Sequence, residues 1–279
     1  MTEQTPPGNV PPQGPPAGAP QGPPPAAPPG GYPPPPPAAG GYAPPPPGFG
    51  APDSLSIGDA ISWAWNKFTK NAGALIVPAL VFGVAMGLLA LLFFALPSAA
   101  MMPDLDDYSY GDEPSFPFGV FVIWFIGFFV LLVAAAAMMS AYIGGVLDIA
   151  DGKPVAIGTF FKPRNLGAVI VAALLVGVAS AVGSLVILGA AVVSVFSLFV
   201  AVAVIDRNMS AVDGFKASFD LVKNRFGDSI LTWLLVNVIV SVSAMVCGIG
   251  IVVGGPVALL FLVYVWRRMT NGPIAPLTP

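Results

Sequence analysis

Between Leu166 and Ile205 the chain runs for about forty residues without a formal charge. As a single α-helix this stretch would extend roughly 60 Å, about twice the hydrocarbon thickness of a bilayer. It therefore has to fold back on itself as two crossing helices, and the glycines at Gly183 and Gly189 mark the place for a tight turn. Ile230 to Trp266 poses the same problem and takes the same solution, with its turn near Cys247–Gly250. Two further apolar runs are each long enough to cross on their own. The expected fold is an all-α polytopic membrane protein with six transmembrane helices, at about 73–96, 118–146, 166–184, 186–205, 230–247 and 250–267.

Composition agrees. Of the 279 residues, 56% are hydrophobic and 9% charged, with a mean hydropathy of +0.82. A soluble domain needs about a quarter of its residues charged to wet its surface, so the solvent for most of this chain is lipid. Two-thirds of the thirty-three prolines precede residue 53, which divides the molecule. Residues 1–53 form a disordered proline/glycine-rich tail, 54–270 the membrane domain, and 271–279 a short C-terminal segment. In the tail, Pro33–Pro37 and Pro44–Pro47 lock φ and remove backbone donors, which favours polyproline II broken by flexible glycine joints. No Lys or Arg occurs between Met1 and Asn66, so nucleic acid has nothing to hold, and neither the basic nor the apolar part of a signal peptide is expected. Tyr32, Tyr42 and Phe49 are the candidate docking residues for a protein partner with an aromatic groove; the alternative is a plain solvated spacer.

Cations set the orientation. With six spans and an inside N-terminus, Lys67, Lys70, Lys153, Lys162, Arg164, Arg207, Lys216, Lys223, Arg225, Arg267 and Arg268 all fall on the cytoplasmic side. The first outer loop holds Asp104, Asp106, Asp107, Asp112 and Glu113 with no basic residue. This places the protein in the plasma membrane with both termini cytoplasmic.

A repeat runs through the domain. Lys70-Asn71-Ala72-Gly73-Ala74-Leu75-Ile76-Val77 matches Arg164-Asn165-Leu166-Gly167-Ala168-Val169-Ile170-Val171, and Lys223-Asn224, Phe226-Gly227 and Ile230 form a looser third copy. An amphipathic stretch precedes each: Ile57–Lys70, Val155–Phe161 and Met209–Phe226. In the first, Ile57, Ile61, Trp65 and Phe68 share a helical face; in the third, Met209, Val212, Phe215, Phe219, Val222 and Phe226 do. The chain thus reads as three units, each an interfacial helix followed by a two-span hairpin, and two spans per unit make the repeats parallel rather than inverted.

The tail, the Trp63-Ala64-Trp65-Asn66-Lys67-Phe68 stretch and Ala217-Ser218-Phe219 through Lys223-Asn224 resemble a group of largely uncharacterised actinobacterial proline/glycine-rich integral membrane proteins. More remotely, the hairpin units resemble the membrane region attached to some glycerophosphodiester phosphodiesterases. The first resemblance implies this fold and a cell-envelope setting, and neither implies an activity, since the chain carries no phosphodiesterase domain.

Chemistry is sparse. Histidine is absent and Cys247 is the single cysteine, which excludes an intramolecular disulfide, a Ser-His-Asp triad and His-ligated haem or zinc. No catalytic residue, cofactor or metal is assigned, and no charge is expected inside a span. Asn237 is the most polar side chain deep in a span, either as a hydrogen-bonding contact between helices or as part of a solute path. Gly83–Gly87 and Gly250–Gly254 are spaced for close helix approach. Gly254-Gly255-Pro256 is expected to bend or break the last span, and Pro78 to kink the first. The acidic outer loop 104–113 lacks the spacing of a calcium-binding loop. The expected function is a non-enzymatic scaffold or adaptor of the cell envelope whose arm recruits a cytoplasmic protein, with membrane lipids as its other partners and a homo-oligomer possible. The competing expectation is a permease or channel for a neutral or lipid-like solute.

Overall fold

The computed structural model describes residues 55–99, 118–245 and 250–279, all belonging to the unit Ala51–Pro279. Tyr32, Tyr42, Phe49, the acidic segment 104–113 and Cys247 lie outside the described residues.

Among the described residues, six helices are long and apolar enough to cross a bilayer. Helix α1 (Ile57–Lys70) precedes α2 (Ala72–Ala99), which contains Pro78 and a π-helical turn at Leu91–Ala95. Helix α3 (Phe118–Ala150) is followed by a short 3-10 turn at Ile157–Phe161 and then α4 (Leu166–Gly183). The fourth crossing, Gly189–Asp206, is interrupted and consists of α5 (Gly189–Phe196) and α6 (Val200–Asp206). Helices α7 (Ala211–Asn224), α8 (Phe226–Met245) and α9 (Ile251–Met269) complete the order. Helix α9 runs unbroken through Pro256. The proline falls in its second turn, where the missing N–H removes one intrahelical bond and the remaining ladder is kept.

The three units are present, and their register is visible in backbone bonds. Leu75 N donates to Asn71 O, Val169 N to Asn165 O and Ser229 N to Arg225 O, each at the start of a first span. Asn71, Asn165 and Arg225 are therefore equivalent, and Gly73, Gly167 and Gly227 follow each by two residues. The third copy thus aligns on Arg225, one residue beyond the Asn224 that the sequence match suggests. The second spans end alike too. Gly152, Asn208 and Asn271 take φ of 75°, 49° and 53°. The next residue in each case bonds back five positions: Lys153 N to Asp148 O (2.9 Å), Met209 N to Val204 O (3.1 Å) and Gly272 N to Arg267 O (2.7 Å). This is one left-handed helix cap used three times.

Before each hairpin the local sequence decides what forms. Ser56 and Ser210 cap α1 and α7 by accepting from the amides of Asp59 and Asp213 at 3.3 and 3.2 Å. Lys67, Lys70 and Lys223 in the last turns complement the helix dipoles. In the middle unit the expected interfacial helix is only the 3-10 turn, because Pro163 bars Lys162 from helical backbone and the segment is too short to regain it.

The packed faces of α1 and α7 differ from the apolar stripes seen in the sequence. Helix α1 buries Ala60, Trp63, Ala64, Lys67 and Phe68 and leaves Ile61 and Trp65 exposed. Helix α7 buries Ala211, Gly214, Ser218 and Val222 and leaves Val212 and Phe219 exposed, as is Phe226 at the start of α8. Small residues let each helix lie close on the bundle, while Ile61, Trp65, Val212 and Phe219 turn outward, as a helix at the lipid interface requires.

Each amphipathic element packs on the second span of the unit before it, and the pattern closes on itself. The 3-10 turn packs on α3, with Phe160 filling the space a side chain at Gly145 would take and its ring 5.1 Å from that of Tyr142. Helix α7 packs on α6, with Gly214 against Val204. Helix α1 packs on α9, where the rings of Trp63 and Tyr264 lie 5.3 Å apart. The result is a cyclic arrangement of three. The C-terminal parts of the second spans form its interior, with the core concentrated in 140–150, 200–205 and 258–269, whereas the first spans α2, α4 and α8 and the first half of α3 are largely exposed. An apolar exposed surface of that extent is stable only in lipid or against another apolar surface.

Glycines make the turn of the middle hairpin. A Cβ on Gly189 would overlap the carbonyl of Gly183, so these two strands of backbone touch directly. Gly250 and Gly254 both meet Ser243 of α8 with no room for a side chain, which bears out the close approach expected of that spacing. Gly83 and Gly87 face open space and serve no such contact.

Candidate functional site

All eleven Lys and Arg sit at the end of the bundle where α1, α7 and the caps of the second spans gather. Here three carboxylates and three cations interlock: Asp148 with Arg164 and, at 3.2 Å, with Lys153; Asp151 with Lys153 at 2.9 Å; and Arg267 with both Asp151 (3.0 Å) and Asp206 (2.6 Å). Asp151 follows the second span of unit one, Asp206 ends that of unit two and Arg267 belongs to that of unit three. One guanidinium thus ties all three units. Trp266 Nε1 donates to the other oxygen of Asp206 at 2.8 Å, and Arg207 stands 5.1 Å from the centre of the Trp266 ring. The side chains of Arg267 and Asp206 are each only 9% exposed, a setting in which removing either partner leaves an uncompensated charge.

This contradicts the expectation that no charge lies within a span. Asp148 is buried two residues before the end of α3, and Arg267 is buried within α9. The signal was in the sequence as acidic residues at the ends of the second and fourth apolar runs and an arginine at the end of the sixth. Read one segment at a time, they look like solvated loop charges.

Two devices support the cluster. Ser140 donates to the carbonyl of Arg164 and accepts from its amide at 2.7 Å, which fixes the backbone that carries the Asp148 partner. Asn165, at φ 50°, donates to the carbonyls of Val204 (3.1 Å) and Met209 (2.7 Å) and so holds the cap of α6 beside it. The interruption between α5 and α6 is made good by Ser218 of α7, which donates to Phe196 O at 2.7 Å and accepts from Phe199 N at 3.2 Å.

The segment after α9 forms a strap across α1. Trp63 Nε1 donates to Ala275 O (2.8 Å), Lys67 Nζ to Pro276 O (2.6 Å) and to Thr278 Oγ1 (2.8 Å), and Asn66 exchanges two bonds with Thr278. Ala275 N reaches Ala150 O at 2.7 Å, joining the strap to the end of α3. Burial pushes the Lys67 ammonium below its ordinary pKa. Lys153 is held above its ordinary value, chiefly by its bond to Asp151 and then by that to Asp148.

Three cavities complete the picture. A polar one of about 340 Å³ opens beside Arg267, with Arg225, Arg268 and Asn271 in its wall and Leu55 and Met269 as its apolar side. An apolar groove of about 310 Å³ lies among α2, α3 and α9, lined by Phe82, Met86, Met139 and Pro256 among others. Another, of about 270 Å³, lies among α3, α4, α6 and Ser197 at the break before α6. Advancing the first groove's helices by one unit gives those of the second, so the two are related by the repeat.

Asn237 is exposed on α8 and donates to Trp233 O at 2.8 Å within its own helix. The bond between spans near it is instead Trp233 Nε1 to Ser194 Oγ of α5, at 2.9 Å. Among the described residues no group of His, Cys, Asp and Glu is placed to hold a metal ion.

No family model matches the chain, and no solved structure does, so the remote likeness to the membrane region of glycerophosphodiester phosphodiesterases gains no support. The chain is 38% identical over 227 residues to Uncharacterized protein Rv2560 of Mycobacterium tuberculosis strain H37Rv, covering 78% of this chain and 70% of the relative. Uncharacterized protein Mb2590 of Mycobacterium bovis matches with the same identity and coverage. The chain belongs to the family of these mycobacterial proteins.

Proposed function

We propose that the protein is a non-enzymatic scaffold of the cell envelope, seated in the plasma membrane with its clasped, basic end in the cytoplasm and its proline-rich arm recruiting a protein there. The observation that carries this reading is the anchoring of α1, the helix that follows the arm. It is packed on α9 and strapped through Trp63, Asn66 and Lys67. An arm transmits a partner's position only if its root is immobile, and this root is bonded at several points. The orientation is supported by the gathering of every Lys and Arg at one end. Photo-crosslinkers at Tyr32, Tyr42 and Phe49 in intact cells should trap one protein in preference to all others, and its co-purification with the membrane domain, without crosslinking, should be lost when 30–50 is deleted. Labelling spread over many unrelated proteins at all three positions would sink the idea.

The two repeat-related apolar grooves favour a second reading, a permease for a neutral or lipid-like solute. Removing residues 1–50 separates the two: transport survives the truncation and scaffolding does not.

A further inference from the structure

The first hairpin outgrows the other two. Helices α2 and α3 hold 28 and 33 residues, whereas the other four crossings hold 18 to 20. The equivalent starts at Asn71, Asn165 and Arg225 and the equivalent caps at Gly152, Asn208 and Asn271 align all three hairpins at the basic end. The excess therefore stands at the opposite end, where 92–99 of α2 and 118–131 of α3 rise about 12 and about 21 Å past the neighbouring hairpins. The shorter spans already match the hydrocarbon of a bilayer, which takes about 20 residues. Residues 140–150 of α3 are fixed in the core, so this hairpin does not absorb its excess by tilting alone. Yet the projecting part is almost wholly apolar, and an apolar surface beyond the reach of lipid marks a docking face.

The two exposed faces of α3 say what docks there. Gly127 is turned to α2, where a side chain would overlap Phe93. Roughly 140° around the helix from it, Phe118, Phe121, Phe125 and Phe128 are 78, 52, 58 and 54% exposed. Their spacing is three, four, three, that of the seam along which two helices pair. Phe129, at the edge of the row, meets Phe125 and Phe128 edge-on with ring centres 5.0 and 5.5 Å away. The other exposed face is aliphatic, with Val122, Ile126, Val130 and Val133. Acyl chains have no periodicity to match and suffice for that face, whereas a heptad row of rings fits a second helix. Every copy of the chain enters the membrane in the same direction. Two α3 helices therefore meet parallel and in register, each ring facing its own counterpart, and the row is complementary to itself.

We propose that this row of phenylalanines joins two copies of the chain, α3 against α3, at the end opposite the ionic cluster. The pairing is independent of the scaffold reading, because its test reads self-association and not the partner of the arm. In the full-length chain with Cys247→Ser, Phe121→Cys and Phe125→Cys should form disulfide-linked dimers when native membranes are oxidised with copper phenanthroline. Val122→Cys and Ile126→Cys should stay single. In mild detergent, light scattering should give the unaltered chain the mass of two copies. The double variant Phe121→Ala with Phe125→Ala should fall to one copy with its helical circular dichroism kept, and Val122→Ala with Ile126→Ala should remain paired. Equal crosslinking from both faces, or none together with a one-copy mass, would leave the row to lipid and overturn the proposal. Capture of a different protein at 121 and 125, or a two-copy mass that survives loss of both rings, would overturn it as well.

Discussion

Arg267 and Asp206, sixty-one positions apart, meet at 2.6 Å where the second spans of two different hairpins end. Their pairing, shared with Asp151 and backed by the Trp266 Nε1 bond to Asp206, ties together the ends of second spans from all three units. Arg267→Met should destabilise the domain by about 3–5 kcal/mol, because two carboxylates are left without their common partner. Asp206→Asn should cost less, since Asp151 still meets Arg267. Unfolding in mixed detergent micelles measures both, and the double variant should fall short of the sum of the singles, as expected for residues in one network.

At the turn between the third and fourth spans, Gly189→Ala puts a methyl group into the carbonyl of Gly183. A loss of about 1–3 kcal/mol is expected from the forced backbone shift. Gly177→Ala, in the same hairpin but facing open space, should be neutral or slightly stabilising through helix propensity. Folded yield after solubilisation compares the two directly, and equal yields would remove the argument for a backbone-to-backbone turn.

Lys153 has a folded pKa raised above its unfolded value of 10.5 by Asp151 and Asp148. A raised base binds its proton more tightly in the folded state. Its contribution is therefore complete below pH 10.5 and is lost as pH climbs through the higher folded value. Lys153→Met should lower the melting temperature at neutral pH and flatten its alkaline decline. Lys67 acts in the opposite sense, since burial favours its neutral form and its contribution grows as pH rises towards 10.5.

Orientation has a direct chemical test. In a Cys247→Ser background, a cysteine replacing Lys216 on the exposed face of α7 should resist an impermeant maleimide in whole cells and react after lysis, while Asp107→Cys should react from outside. The reverse pattern would place the basic end on the far side of the membrane.

The spans were legible because length and hydrophobicity decide them: the folded-back pairs at 166–205 and 230–266 follow from bilayer thickness, and the observed crossings agree to within a few residues. The repeat was legible at Asn71 and Asn165 but slipped by one at Arg225, where a different side chain performs the same backbone role. The apolar stripes of α1 and α7 were legible, but which face meets the bundle was not, for a physical reason. A pattern of large apolar residues says which side avoids water, and in a membrane lipid serves that purpose as well as a protein core does. The ionic cluster stayed hidden because Arg267 lies far along the chain from both Asp151 and Asp206, and only the cyclic packing brings the three together. The strap was read as a short tail, since nothing in Pro273–Pro279 announces that its carbonyls match the donors of Trp63 and Lys67.

The seating of α1 on α9 bears on biosynthesis. A ribosome delivers α1 first and α9 last, so the surface that α1 requires does not exist until nearly the whole domain has been inserted. Until then Trp63 and Lys67 have no partners in the bundle, and the nascent hairpins form an open arc that nothing has yet closed. Assembly is therefore committed by its final helix, and a chain arrested before Arg267 emerges would expose to quality control the aromatic and charged groups that the finished ring conceals.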